Sequence, residues 1–237
     1  TVAKAIQIMS ERNFTQLPVV AGKAVLGVFS FRSLAQRLLK IRQVPEDIGI
    51  LPVDEFVEPF QFVQPSDNWA SILKYLDRED GVLVGNRDQL EAILTPMDVL
   101  DYLHRIASPF VMLAEMERSL RRIITACVDE EELRTCIVNS LAQKYGEEAL
   151  PEELKEMTFN DYVLIIGDGR NWPHFTNVFG EGEWQRKTTT ARLKQVGELR
   201  NEVFHFRPDM LPRDLEILSA RRDWLQMKAR AFEAIKA

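Results

Sequence analysis

In the stretch GELRNEVFHFRPD, residues 197–209, a guanidinium, a carboxamide and an imidazole follow one another closely: Arg200, Asn201 and His205. On a helix, Asn201 and His205 are one turn apart and lie within about 40° of each other, while Arg200 on the adjoining flank reaches the same space. An imidazole exchanges protons near neutral pH and a guanidinium holds an anion, so the three side chains can act together on a charged group. A plainer reading competes with this one. A histidine in the last helical turn before Pro208 is favoured by the helix dipole and can cap carbonyls. Leu199, Val203 and Phe204 would press the neighbouring face into a bundle and leave the polar group at an edge or groove.

The remaining histidines, His104 and His174, lie far from His205 in sequence, and no ligand cluster accompanies any of them, so no metal site is expected. His104 in LDYLHRIA reads as a surface residue. His174 in NWPHF has Trp172 and Phe175 beside it, which form either an aromatic wall for a ligand or, by default, buried packing. Cys127 and Cys136 lack a CxxC partner and suit buried thiols in a reducing compartment.

The chain has 237 residues, 46% of them apolar, enough to bury two modest cores. A formal charge of −6 argues against a surface given over to long nucleic-acid tracts, so any nucleic-acid contact should be local. No apolar run approaches the roughly 20 residues of a membrane span and no signal peptide opens the chain, which points to a cytoplasmic location. Thr1 opens within an amphipathic pattern, so the expectation is a first element whose upstream part is absent.

Periodicity supplies the elements that would position these groups. VAKAIQIMSER reads as a helix, TQLPVV and AVLGVFS as strands about the turn AGK, and FRSLAQRLLKIR as a second helix; VPEDIGILP reads as a connection. The grammar then repeats at a spacing of roughly 60 residues. FQFV is a short strand, a helix starts at the Pro-Ser-Asp cluster, GVLVGN and LEAILT are strands, and PMDVLDYLHRIA closes the copy with Pro96 in its first turn. After Pro109 long patterned helical segments take over. Gly146 is placed to stop the second of them, and the whole is expected to be a bundle of four or five helices.

LPVV with VLGVFSFRSL, and GVLV with LEAILTPMDVLDYL, resemble the two halves of a tandem cystathionine-β-synthase (CBS) domain pair. The implied fold is an α+β tandem module over residues 1–107, its first copy truncated at the amino terminus. Such pairs commonly hold adenine nucleotides such as AMP, ADP or ATP in their clefts. The family's Thr/Ser-x-x-Asp element falls on Thr95 and Asp98 in the second copy, and on Ser30 and Ser33 in the first, where serine stands in place of the acid. At a strand end leading into a helix, free N–H groups favour phosphate, while a hydroxyl and a carboxylate can take the hydrogen bonds of a ribose. Thr95 with Asp98 also reads as an ordinary helix start.

LRNEVFHF at the end of a long helix, with TFNDYVLIIG and NWPHFTNVF upstream, resembles the HEPN superfamily (higher eukaryotes and prokaryotes nucleotide-binding), over an all-α helical domain of residues 108–237. That resemblance implies a metal-independent ribonuclease at a homodimer interface, with Arg200, Asn201 and His205 of both copies converging. RNA carries its own nucleophile in the 2′-OH, so cleavage needs a proton-transfer group, for which His205 is suited, and a cation, for which Arg200 is suited. Asn201 is expected to hold the imidazole tautomer. Arg186, Lys187, Arg192, Lys194, Arg207, Arg221 and Arg222 either follow an RNA backbone or are solvated helix faces. The combined expectation is a nucleotide-regulated RNA-cleaving effector under allosteric control. One alternative is a non-catalytic nucleotide-sensing module whose helical domain binds a protein or RNA partner. Another is a toxin or defence effector controlled by an antitoxin or other regulatory protein.

Overall fold

The computed structural model describes residues 1–42, 46–205 and 210–236, without the side chains of residues 147 and 233–236. The chain divides into two compact units, Thr1–Leu103 and His104–Ala237. Val44 and Pro45 of the expected connection, and Arg207 and Pro208, lie outside the described residues.

In the first unit, helix α1 (Val2–Arg12) is capped by the Thr1 hydroxyl and ends at Asn13, whose φ of 55° suits asparagine better than most side chains. Val2, Ala5 and Met9, spaced along one face, bury against Phe29 and Phe56. Strands β1 (Gln16–Ala21) and β2 (Ala24–Ser30) pair antiparallel and lead into α2 (Phe31–Leu38). Two 3-10 turns, Ile48–Ile50 and Val53–Phe56, follow. A three-stranded sheet comes next: β3 (Phe62–Val63) lies parallel to β4 (Val82–Asn86), which pairs antiparallel with β5 (Gln89–Leu94). Helix α3 (Trp69–Leu76) is capped by Asn68, one residue beyond the Pro-Ser-Asp cluster expected to start it; Asp67 instead accepts from the Gln64 N–H.

The duplication is exact in register. Leu17 pairs with Phe29 and Val82 with Leu94, Val19 with Gly27 and Val84 with Ala92, so each pair recurs 65 residues later (82 − 17, 94 − 29). Even the irregularity repeats, between Val19 and Val20 and between Val84 and Gly85. Val25 and Val28 of one copy pack with Leu83 of the other, and this shared cluster lets each small sheet bury a face it could not cover alone.

Gly85 illustrates what the irregularity demands. Its φ is +110°, and a β-carbon there would lie 2.3 Å from the Gln89 carbonyl oxygen. Gly85→Ala is therefore expected to destabilise the first unit by about 2–4 kcal/mol, from backbone strain and a contact that only strand separation relieves. Urea unfolding monitored by circular dichroism checks this; an unchanged midpoint would refute it.

Helix α4 (Pro96–Cys127) passes through Pro109 without a break, where the sequence suggested one helix closing and another starting. Proline lacks one N–H, but its ring is buried together with Met112, Leu113 and Met116, and that apolar burial offsets the lost hydrogen bond. Among the described residues the second unit contains six α-helices rather than four or five. They are α4, α5 (Glu130–Tyr145), α6 (Phe159–Gly167), α7 (Trp172–Phe179), α8 (Glu183–Phe204) and α9 (Pro212–Lys236). Gly146 stops α5 at φ 77°, as its position predicts. One core joins all six, with Leu120, Leu141, Tyr162, Phe175, Val196 and Leu225 among its members.

Candidate functional site

Helix α8 carries Leu193, Val196, Leu199 and Val203 into the core, and this apolar stripe turns Asn201 outward. His205 sits one residue past the helical run as its C-cap, exposed, with φ −86° and ψ 9°. Its backbone N–H donates to the Asn201 carbonyl at 3.0 Å. The Asn201 side chain is not on the imidazole: its Oδ1 accepts from the Arg200 guanidinium at 3.5 Å. Arg200 also lies over the Phe204 ring, 4.6 Å from the centroid, and Phe204 packs edge-on against Phe110 of α4 at 5.4 Å. The Phe204 ring, itself packed on Phe110, thus holds the guanidinium in place. Among the described residues Arg200 has no carboxylate partner.

Of the six other described cations chosen from the sequence, three have such a partner: Arg186, Lys187 and Arg222. Arg186 is held by Glu183 and the Gly167 carbonyl, Lys187 by Glu183, Arg221 by Gln195, and Arg222 by Asp223, while Arg192 lies over Trp224. Lys194 lies exposed on α8 beside a shallow depression it shares with Arg186 and Thr190.

His104 is exposed, and His174 has Nδ1 3.6 Å from Glu132. Trp172 and Phe175 are core residues, not a wall around a ligand. Cys136 is buried, and burial together with Glu132 and Asp168 pushes its thiol up to about 11, which makes it inert.

In the second copy, the Thr95 N–H and hydroxyl both donate to Oδ2 of Asp98, at 2.8 and 2.6 Å, and the Asp98 N–H points back to the Thr95 hydroxyl at 3.3 Å. This is a helix start, and it leaves Oδ1 of Asp98 without a partner among the described residues. Leu94, immediately before Thr95, lines an open cleft of about 260 Å³ with Val63, Gln64, Pro65, Asp67, Trp69, Ile72 and Val84. The volume is just under the roughly 300–1,000 Å³ usual for small-molecule sites. Trp69 is 48% exposed there, an aromatic surface at the mouth of an apolar cleft.

The first copy is arranged differently. Ser30 and Ser33, expected as ligand contacts, are each 4% exposed and close a capping box on one another. The Ser30 hydroxyl donates to Glu58 at 2.7 Å, and Glu58 pairs with Arg32 at 3.3 Å. Arg32 in turn meets Glu79 at 3.4 Å and Asp80 at 3.1 Å. The chain's own carboxylates occupy the hydroxyl and cation that a bound anion would use.

A buried polar centre in the second unit escaped the sequence reading. Asp161 is fully buried and accepts from Lys144 at 2.7 Å, from the Tyr145 hydroxyl at 2.9 Å, and from the N–H and hydroxyl of Thr158 at 2.8 Å each. The spacing Thr158-x-x-Asp161 was its sequence signal, the same hydroxyl-and-acid pattern recognised at Thr95. Its four bonds leave nothing to offer a substrate, so its role is to tie α5 to α6.

Among the described residues no group of His, Cys, Asp and Glu is placed to hold a metal ion, and no helix is long and apolar enough to cross a membrane. Residues 1–40 match the family model described as CBS domain. Cystathionine beta-synthase from Dictyostelium discoideum is 28% identical over 106 residues, which are 44% of this chain and 21% of that protein. The chain therefore covers about a fifth of that relative's length. A CBS domain protein from Streptococcus pneumoniae, solved by crystallography, aligns at 18% identity with a TM-score of 0.39, over 44% of this chain and 69% of that one. The amino-terminal α+β region is CBS-like, and a large helical portion follows it.

Proposed function

We propose that the chain is a nucleotide-regulated, metal-independent endoribonuclease acting as a homodimer, in which residues 1–107 sense an adenine nucleotide and residues 108–237 form a HEPN-type catalytic domain. The observation that carries this reading is the end of α8, where Arg200 has no carboxylate partner among the described residues and His205, five residues on, is exposed to solvent. In the reaction, the 2′-oxygen attacks phosphorus, the bond to the 5′-oxygen breaks, and a 2′,3′-cyclic phosphate and a 5′-hydroxyl result. One His205 accepts the 2′-OH proton and the second copy's His205 protonates the leaving oxygen. Arg200 stabilises the charge that builds on the phosphoryl oxygens. Asn201 acts by holding the guanidinium.

The cleft beside Thr95 supports the sensory half of the reading. Adenine would lie against Trp69 and the apolar walls, and the free Oδ1 of Asp98 would accept from a ribose hydroxyl. Single-stranded RNA incubated with the protein in EDTA is expected to yield 2′,3′-cyclic ends at a rate that changes when ATP is added. Asp98→Ala is expected to weaken ATP binding about tenfold or more, the worth of one charge-assisted hydrogen bond. Trp69→Phe should abolish the ATP-dependent change in tryptophan emission. RNA left intact with and without ATP would sink the catalytic half and leave a nucleotide-sensing module with a partner-binding helical domain.

A further inference from the structure

On the second unit, α4 and α9 enclose a polar groove of about 230 Å³. Arg118 and Arg122 of α4 and Arg230 of α9 line it, with Glu115 and Gln226 also in its wall. Three guanidiniums thus face one carboxylate. Glu115 is itself engaged, by Gln226 at 3.2 Å and Arg222 at 3.9 Å. Other cations of this unit behave otherwise: Arg121 is spent on Glu117 and Tyr162, Arg170 on Asp168, and Lys144 on Asp161. Among the described residues Arg118 has only a 3.4 Å bond to the Ala114 carbonyl of its own helix, and Arg230 has no partner.

We propose that this groove binds the phosphodiester backbone of single-stranded RNA, with Arg118 and Arg230 as the phosphate-contacting groups. The identity of the polyanion rests on the ribonuclease reading above. Two features favour it. Exposed arginines from two helices present planar forks, which match the paired oxygens of a phosphate and lose little order in doing so. The groove also lies along α4 from the catalytic end: Phe110 packs on Phe204, whose ring carries Arg200, and Arg118 is eight residues further along the same helix. That is two turns, about 12 Å, or roughly three to four nucleotides at the ~3.4 Å spacing of a stacked strand. A strand cleaved at Arg200 and His205 would reach the groove with its flanking phosphates.

The test is anisotropy of a fluorescein-labelled single-stranded RNA titrated with the full chain bearing His205→Ala, in EDTA, over a series of KCl concentrations. Adding Arg118→Gln and Arg230→Gln is expected to raise Kd at least about tenfold, and to lower the slope of log affinity against log salt by about 1.4, two phosphate contacts at ~0.7 each for a single strand. Glutamine keeps the helical propensity of both sites, and unchanged thermal unfolding confirms the fold. The double lysine variant restores the salt slope. Arg12→Glu, exposed on the first unit, should leave Kd within about twofold. An unchanged Kd and slope in the glutamine variant, or no RNA binding by the parent, would overturn the proposal. So would a poly-glutamate chain that displaces the RNA as well as unlabelled RNA does.

Cleavage of a diribonucleotide, too short to reach the groove, separates the two ideas. With His205 intact, the glutamine variant should cut it at the parental rate. If no variant cuts it while the binding difference persists, the nuclease reading fails and the groove stands.

Discussion

Replacing His205 with alanine is expected to slow RNA cleavage by about 10²- to 10⁴-fold, the range for removing a group that transfers a proton in the transition state. Arg200→Ala should cost about 10²- to 10³-fold, because in the proposed mechanism the guanidinium would face charge that develops only as the phosphorane forms. Single-turnover gels in EDTA give both numbers. Arg200→Lys should recover only part of the loss, since an ammonium cannot span two oxygens and does not stack on Phe204 as the planar fork does. Folding is not at stake. His205 is exposed and neither side chain carries an ion pair among the described residues, so both variants should unfold within roughly 0.5 kcal/mol of the parent. The proposed dimeric site gives a sharper check: it uses His205 of both copies, so a mixed dimer of one parental and one His205→Ala chain should lose most of the activity even though one intact chain remains. Parental rates in either single variant would remove the catalytic assignment.

Asp161→Ala is expected to lower the stability of the helical unit by about 3 kcal/mol and its Tm by roughly 10 °C. The loss combines the cap on α6 with charge-assisted bonds to Lys144, Tyr145 and Thr158. It stays below the upper end for a buried ion pair because Lys144 is 39% exposed and its ammonium can turn to water. The pH dependence has a definite sign. Burial alone would raise the carboxyl, but Lys144, Thr158 and Tyr145 outweigh it and hold Asp161 below the ordinary carboxylate value. A depressed folded value means the contribution is complete above the unfolded pKa of about 3.9 and disappears as pH falls from there toward the folded value. Melting from pH 6 to pH 3 should therefore be shallower for Asp161→Asn than for the parent, and parallel curves would refute the assignment.

Local pattern made the first unit legible. Alternating runs such as AVLGVFS and helical spacing such as that of Val2, Ala5 and Met9 belong to single elements, and the structure contains those elements in the expected order. The roughly 60-residue repeat becomes an offset of 65 once the strand pairs can be counted. What escaped were facts with distant partners. Nothing near Ser30 announces that Glu58, 28 residues away, will close on its hydroxyl. Pro109 carries a strong local signal for a helix boundary, and buried contacts of the same helix override it. At the α8 end the positions of Arg200 and His205 could be read from spacing, but the Arg200–Asn201 bond and the Phe110–Phe204 packing could not, because rotamer choice and packing against α4 determine them.

The contrast between the twin junctions has a thermodynamic corollary. On the proposed sensing role, with Glu58 lodged at Ser30 and the Thr95 cleft open, each protomer would offer one vacancy among the described residues and saturate along a simple hyperbola. A Hill coefficient above one would then have to originate between protomers, and it should vanish upon dilution to monomers.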